Sequence, residues 1–278
     1  MSIATEISRL QTAKADIKTA IEAKGVIVPS NATLDTYDTY VSQISGGGGI
    51  NYLEQYAKGG LTGAITSAQL GTNMSSHMID NLLASQNSIT SVDLTGTGAI
   101  RIASSFCRYC SNLTSVTIPS TVAEISTYFL AGSSIPSVTI PSTVTSVGQN
   151  TFDNCTSLTQ LIYNAHTANL PQYLCSLNTN LALVDLNSSV ASIGRYCFRL
   201  SSASTNLLEV VLRKTDGIVT LPNAIGNTGT NAAFRYRRNI KIYVPSALIA
   251  SYQADANWAA GITAGYLTIV ALEGSQYE

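Results

Sequence analysis

The phrase S-V-T-I-P-S-T-V stands twice in this chain, at Ser115–Val122 and Ser137–Val144, 22 residues apart. Self-similarity at a period of roughly 20–50 residues marks a stack of like units, each too small to bury its own apolar face. Degenerate copies follow the same skeleton, apolar-x-x-apolar-x-apolar. They lie at Ile89/Val92/Leu94, Leu113/Val116/Ile118, Ile135/Val138/Ile140, Leu158/Leu161/Tyr163, Leu181/Val184/Leu186 and Leu207/Val210/Leu212. The middle positions advance in steps of 24, 22, 23, 23 and 26 residues.

Each copy reads as one short strand and a return. Val116 and Ile118 alternate with polar Thr117, the pattern of a half-buried strand. Pro119 and Pro141 follow, where a missing N–H ends a strand without spoiling its ladder. An apolar residue and then an aromatic come next, as Ile102/Phe106, Ile125/Phe129, Val147/Phe152 and Ile193/Phe198. Stacking predicts Val on Val and Phe on Phe in one continuous core.

The phrasing S-x-L-T-S-V-T-I-P-S-x-V-x-x-I-x-x-x-x-F-x-x-C resembles the BspA-type leucine-rich repeats of bacterial and viral surface proteins, over about Asn87 to Val244. The resemblance implies a short curved solenoid with a parallel sheet along one face, serving adhesion or recognition. The fourth and fifth copies depart from it, losing the I-P-S phrase at Leu161-Ile162-Tyr163 and Val184-Asp185-Leu186.

Residues 1–24 read as a helix. Ile3, Ile7, Leu10, Lys14, Ile17, Ile21 and Lys24 recur in steps of four and three, a heptad seam with Lys at two positions. An amphipathic helix packed on its own domain is the plain alternative to self-association. Isoleucine along the seam favours three strands or more. The unit to residue 45, with K-G-V-x-V-P and D-T-Y-x-x-Y-V-x-Q-I, resembles attachment modules of bacteriophage tail-fibre and structural proteins. The resemblance implies docking or trimerisation.

The expected organisation is a helical module at 1–45, a glycine linker at 46–49 and an N-terminal cap at 50–87. Repeats follow at 88–239 and a closing segment at 240–278. The cap holds short helices at Tyr52–Lys58 and around Ser76–Ala84. Leu221-Pro222-Asn223 reads as a partial copy, Ile240–Val244 as a strand, Ser246 as the N-cap of a helix, and Leu267–Leu272 as a final strand. Trp258 is expected to plug the last coil. The fold class is thus a repeat solenoid of leucine-rich type, right-handed, with short parallel β-strands and irregular or short helical arcs, preceded by a small α-helical module.

Charged residues make up only 11% of the 278 residues, with a formal net charge of −1. That argues against a nucleic-acid partner. The densest basic run, Arg235-Tyr236-Arg237-Arg238, reads first as a solvated edge. The longest apolar candidate, Ile262 to Leu272, falls well short of the roughly 18 residues of a membrane span, so no membrane insertion is expected. The N-terminus lacks a basic start and an apolar run, so no signal peptide is expected.

No enzyme is expected, and no cofactor or metal. Asp93 and Asp185 project outward from separate coils, too far apart to act as a glycosidase pair. His77 and His166 sit in no motif. Of Cys107, Cys110, Cys155, Cys175 and Cys197, the first two form a C-x-x-C without a second pair, so buried free thiols are expected over a zinc or redox site.

Binding is the better reading. The outward ribbon is Asp93, Thr117, Thr139, Ile162, Asp185 and Val211, polar with an apolar end at Ile162 and Val211. Tyr109, Tyr128, Tyr163, Tyr173, Tyr196 and Tyr236 offer rings with a polar tip, against a plain reading of most as ladder residues. Tyr163, Tyr196, Tyr236 and Arg237 are the surface candidates; Ile3, Ile7, Leu10, Ile17 and Ile21 are those for oligomerisation. The function expected is a virion fibre or surface protein on the particle's exterior, a homotrimer joined to other virion proteins through residues 1–45. Its solenoid would contact a host-surface glycan or protein. The alternatives are a bacterial cell-surface adhesin and a structural virion decoration.

Overall fold

Among the described residues nine short strands, all parallel to their neighbours, line one side of a stack of coils, which returns through an arc and a second, shorter set of bridges that is a two-residue ladder in three coils and single bridges further on. The computed structural model describes residues 3–22, 28, 62–70, 78, 80–225 and 232–278. Helix α1 spans Ile3–Glu22. After it come β1 (Gly63–Ile65), α2 (Ser67–Leu70), β2 (Ile89–Asp93), β3 (Arg101–Ile102), β4 (Ser115–Thr117), β5 (Glu124–Ile125) and β6 (Ser137–Ile140). Then follow β7 (Ser146–Val147), β8 (Gln160–Tyr163), β9 (Leu183–Leu186), β10 (Leu208–Leu212) and β11 (Ile240–Val244). A 3-10 turn at Ser246–Leu248, α3 (Ile249–Ala254), α4 (Ala256–Thr263) and β12 (Leu267–Ala271) complete the chain.

The strand register agrees with the repeat frame. Val92 sits opposite Val116, Val138 opposite Leu161, Leu161 opposite Val184, and Val184 opposite Val210 and then Ile242. A pleat places alternate residues on opposite faces, so this row, half-buried at Val116, and the row Ile140, Tyr163, Leu186, Leu212 and Val244 face the interior. One apolar cluster runs unbroken from Ile65 to Leu267. Full burial of each such side chain contributes about 1.5–3 kcal/mol.

One link in the ladder is absent. The main face divides into β1-β2-β4 and β6-β8-β9-β10-β11-β12, so the two identical copies, β4 and β6, are the neighbours that do not pair. Two sequence features explain it. Before β4, β8 and β9 a backbone N–H reaches back to the previous coil: Thr114 to Thr90 at 2.9 Å, Thr159 to Pro136 at 2.8 Å, Ala182 to Thr159 at 2.9 Å. In β6 that place belongs to Pro136, which has no N–H to give. The preceding turn is also short. Tyr109, Gly132 and Asn154 align through the arc hydrogen bonds, yet Gly132 is three residues from Ile135 where the others are four from Leu113 and Leu158. The coils stay joined by the second ladder, Glu124–Ser146 and Ile125–Val147, and by the arc.

Elsewhere the structure adjusts the expectations. All five phenylalanines are buried, but they do not form one column. Val147 aligns with Ile125, and Phe152 lies five residues beyond it where Phe129 lies four beyond its partner. Phe106 and Phe129 pack at 6.3 Å, and the column resumes one position over with Phe198 on Phe234 at 5.2 Å. In the cap, residues 80–85 are a turn rather than a helix, and their Asn81 and Leu83 N–H groups bond to the next arc as any repeat does. β1 extends the sheet in parallel, so this end is another coil. The expected helix at Tyr52–Lys58, the glycine linker and most of residues 23–61 lie outside the described residues.

At the far end Ser192 bridges Asn169 and Thr220, so the Leu221 segment does extend the second ladder. Ser246 makes no side-chain cap; its own N–H donates to the Glu273 carboxylate at 2.8 Å. The side-chain cap falls to Asp255, which accepts from the Asn257 and Trp258 N–H groups at the start of α4. Trp258 is fully buried, with Nε1 donating to the Val219 carbonyl at 2.8 Å. It closes the core against Phe234 and Tyr252, and β12 adds the last strand beside β11.

Candidate binding surface on the arc

The arcs are built on left-handed backbone. Ser105, Tyr128, Asn150, Tyr173 and Tyr196 hold equivalent places in successive coils with φ of 57°, 58°, 58°, 57° and 55°. A second row adds Tyr109 at 59° and, two steps before the closing segment, Tyr236 at 68°. For a side chain as bulky as tyrosine this conformation is unusual and costs about 1 kcal/mol or more. Five tyrosines in it set an aromatic edge along the stack.

Arginines lie between the rings. Arg108 stands 4.6 Å from the Tyr109 ring centre and 4.4 Å from that of Tyr128, and Nη2 donates to the Tyr109 hydroxyl. Arg199 lies 5.4 and 5.5 Å from Tyr173 and Tyr196, whose rings stack at 5.2 Å. Arg235 covers Tyr236 at 4.8 Å. Each pair at such distances gains about 0.5–1 kcal/mol and keeps the guanidinium over the ring. Asp153 is the acid in the same row. Burial pushes its carboxyl up, against Ser176, Asn150 and the charges of Arg199 and Arg108. The result is a rigid edge of tyrosine and arginine, the two residue types most enriched where proteins bind partners.

The structure separates the sequence candidates. Tyr196 and Tyr236 are on this edge, half-buried. Tyr163 is not a surface residue: it is fully buried, its hydroxyl 2.8 Å from that of Thr167, because its place in the frame is an inward strand position. Arg237 is also interior, donating to the carbonyls of Phe198, Leu181 and Asn178. The basic run therefore divides, with Arg235 on Tyr236, Arg237 inside and Arg238 over Tyr266 at 4.3 Å. The sequence signal for the edge was the tyrosine or asparagine three residues after each second-ladder residue, as Tyr128 follows Ile125 and Tyr173 follows Leu170.

The outer sheet face is less open than the ribbon suggested. Val211 is fully buried. The C-terminal segment crosses above it: the Tyr277 hydroxyl donates to Glu209 at 2.6 Å, and its carbonyl accepts from Arg213 at 2.9 Å. Arg213 also holds Asp185 in a two-pronged pair at 2.8 and 2.9 Å. Burial acts to raise the Glu209 carboxyl, and hydrogen bonds from Tyr243 and Tyr277 outweigh it and hold it low. All five cysteines are free and buried. Among the described residues no three of His, Cys, Asp and Glu are grouped to hold a metal ion, and no helix is long and apolar enough to cross a membrane. His166 donates through Nδ1–H to the Ser142 carbonyl; His77 lies outside the described residues.

Comparison with known proteins agrees with this architecture. Residues 77–208 match the BspA type leucine rich repeat region in six copies, just under half of the chain. The match leaves residues 1–45 outside it. No curated protein matches the chain. Among solved structures it is similar to a leucine-rich repeat protein from Eubacterium ventriosum, with 29% identity over 37% of this chain and 28% of that one, TM-score 0.36. It is also similar to a leucine rich cell surface protein from Faecalibacterium prausnitzii, with 17% identity over 71% of this chain and 63% of that one, TM-score 0.37. A leucine-rich repeat protein from Bacteroides ovatus shares 16% identity over 67% of this chain and 61% of that one, TM-score 0.33. The chain thus spans less than two thirds of each. The stacked coils make the fold a leucine-rich-repeat solenoid, whose residues 77–208 match the BspA-type repeat in six copies.

Proposed function

We propose that this is a cell-surface recognition protein of the adhesin type, which engages a surface glycan or protein through the tyrosine–arginine edge of its arcs. The observation that carries the reading is the alignment of Tyr128, Tyr173 and Tyr196 at positive φ with arginines seated on the rings. Rigid rings with hydroxyl tips give large contact area at low entropic cost. The cell-surface repeat protein named above is compatible with that setting. The test is binding of labelled protein to intact cells and to arrayed glycans. The double variant Tyr196→Ala, Arg199→Ala should lose about tenfold or more in affinity, as removing two anchors of an interface does. Unchanged binding would remove the edge from the mechanism.

A second reading, the virion fibre, rests on α1. Ile7 and Ile17 on its seam are 51% and 43% exposed, an unusual outlay of isoleucine on a surface, although Ile21 is buried. Light scattering of the full chain and of a chain starting at Ile50 decides it. A trimer that becomes a monomer on truncation favours the fibre; monomers in both cases favour the adhesin.

A further inference from the structure

The interruption between β4 and β6 leaves a cleft of about 520 Å³ on the strand side of the solenoid. Its size falls in the range of built ligand sites, roughly 300–1,000 Å³. Thr114, Ser115, Thr117, Ser137 and Thr139 line it with hydroxyls, and Val116 forms part of the wall. Val116 and Ile118 are only half-buried, whereas their counterparts Val138 and Ile140 are buried.

A strand edge presents N–H and C=O groups at the spacing of another backbone, and natural proteins cover such edges or charge them. Here two edges face one cleft, run in the same direction and carry no charged residue: Ser-Val-Thr in β4 and Ser-Val-Thr-Ile in β6. What satisfies both is a third strand lying between them. A sugar can meet the hydroxyls, but it does not supply alternating donors and acceptors on two sides at once.

We propose that this cleft is a peptide-binding site, which takes an extended segment of a partner protein by strand insertion, parallel to β4 and β6. The segment is three or four residues long, the length of the two edges. Its alternate residues are β-branched and apolar, seated against Val116 and Ile118. The residues between them are small and polar, level with Thr117 and Thr139. Recognition of this kind draws affinity from main-chain hydrogen bonds and specificity from alternate side-chain seats. The site is separate from the tyrosine–arginine edge, and either can fail without the other.

The probe is a fluorescein-labelled synthetic peptide, TSVTIPST, titrated into the full chain and read by anisotropy, with amide hydrogen exchange followed at 115–118 and 137–140. Saturable binding with slowed exchange on both edges is expected. A scrambled peptide without the alternation should bind about tenfold more weakly or worse. The informative variant is Pro136→Thr, which restores the N–H found in this place at Thr114 and Thr159. It should pair β4 with β6 and weaken peptide binding by about tenfold or more. Should that variant not fold, Ile118→Lys on the cleft wall should weaken binding likewise, and Arg199→Ala should leave it unchanged. Four results would overturn the proposal: edge amides already as protected without peptide as those of β9; no binding at about 1 mM peptide, a contact worth less than about 4 kcal/mol; equal binding by Pro136→Thr; or protection by a β-glucan oligosaccharide and not by peptide.

Discussion

Arg237 carries a guanidinium into the interior with carbonyls rather than a carboxylate for company. Its Nε and Nη2 donate to Phe198 and Asn178 at 2.9 and 2.7 Å, and Nη1 reaches Leu181 at 3.4 Å. Burial pushes its pKa down to about 10, which still leaves it charged at neutral pH. It ties together coils where the repeat step lengthens to 26 residues and the frame loses its regular rungs. Removing it as Arg237→Leu strands buried carbonyls at about 1–3 kcal/mol each, so a loss of roughly 3 kcal/mol is expected in urea unfolding. Arg237→Lys should recover less than half of that, because an ammonium lacks the planar fork that reaches three acceptors. Nothing in the sequence separates this arginine from Arg235 and Arg238. Three basic residues around one tyrosine read alike until the turn of the arc decides which points in. Tyr163 was hidden differently: its place in the apolar frame was already an inward one, and its hydroxyl suggested a surface role that the single bond to Thr167 satisfies internally.

At two places, Gly148 and Gly194, the neighbouring coil comes too close for any side chain to interpose. A Cβ at Gly148 would lie 2.5 Å from the Thr127 nitrogen and 2.6 Å from the Ser126 carbonyl carbon; one at Gly194 would lie 2.5 Å from the Leu170 carbonyl oxygen. These obstacles are backbone and cannot turn aside. Gly148→Ala should therefore cost about 1–3 kcal/mol by overpacking, seen as a lowered melting temperature with an unchanged far-ultraviolet spectrum. The strands and their register were legible in the sequence, since Val92, Val116, Val138, Leu161, Val184 and Val210 are what a buried column requires. The missing pair was not read, although its cause is written there. Pro136 stands beside the second perfect copy, and a proline directly before a strand that repeats its neighbour looks harmless until the N–H it replaces is counted. The shift of the phenylalanine column was visible as a spacing of four against five, and only the alignment of Val147 with Ile125 gives that difference a direction.

Across the whole molecule the thiols share one environment. Burial pushes Cys107, Cys175 and Cys197 up and Cys155 to about 11, while Cys110 is drawn down by its hydrogen bond to Cys107. The four raised groups stay protonated in the folded protein above the pH, about 8.5, at which an unfolded thiol ionises. The unfolded chain then holds fewer protons, and stability is complete below that pH and is lost as pH rises toward the folded values. Urea midpoints should stay level to about pH 8 and fall beyond it, by about 1.4 kcal/mol per raised thiol per unit. Replacing Cys155 by Ala should make the fall shallower. In the native state all five should resist a bulky disulfide reagent, which checks the burial directly. The stack and the thiols followed from composition and period. The arc edge followed only in part: the spacing of Tyr128 from Ile125 and of Tyr173 from Leu170 marks its place, but the left-handed backbone that turns those rings outward is not written in residue type.

Stretched along its axis, the solenoid carries its load unevenly, and the missing rung marks one place where that load concentrates. Along the stack a pull on the axis is carried by up to three lines of hydrogen bonds: the main sheet, the second ladder where it is formed, and the arc. Between β4 and β6 only the latter two bear it. At that junction the strand side is open and the far side still joined, so the solenoid bends there by opening on the strand side before any coil unravels.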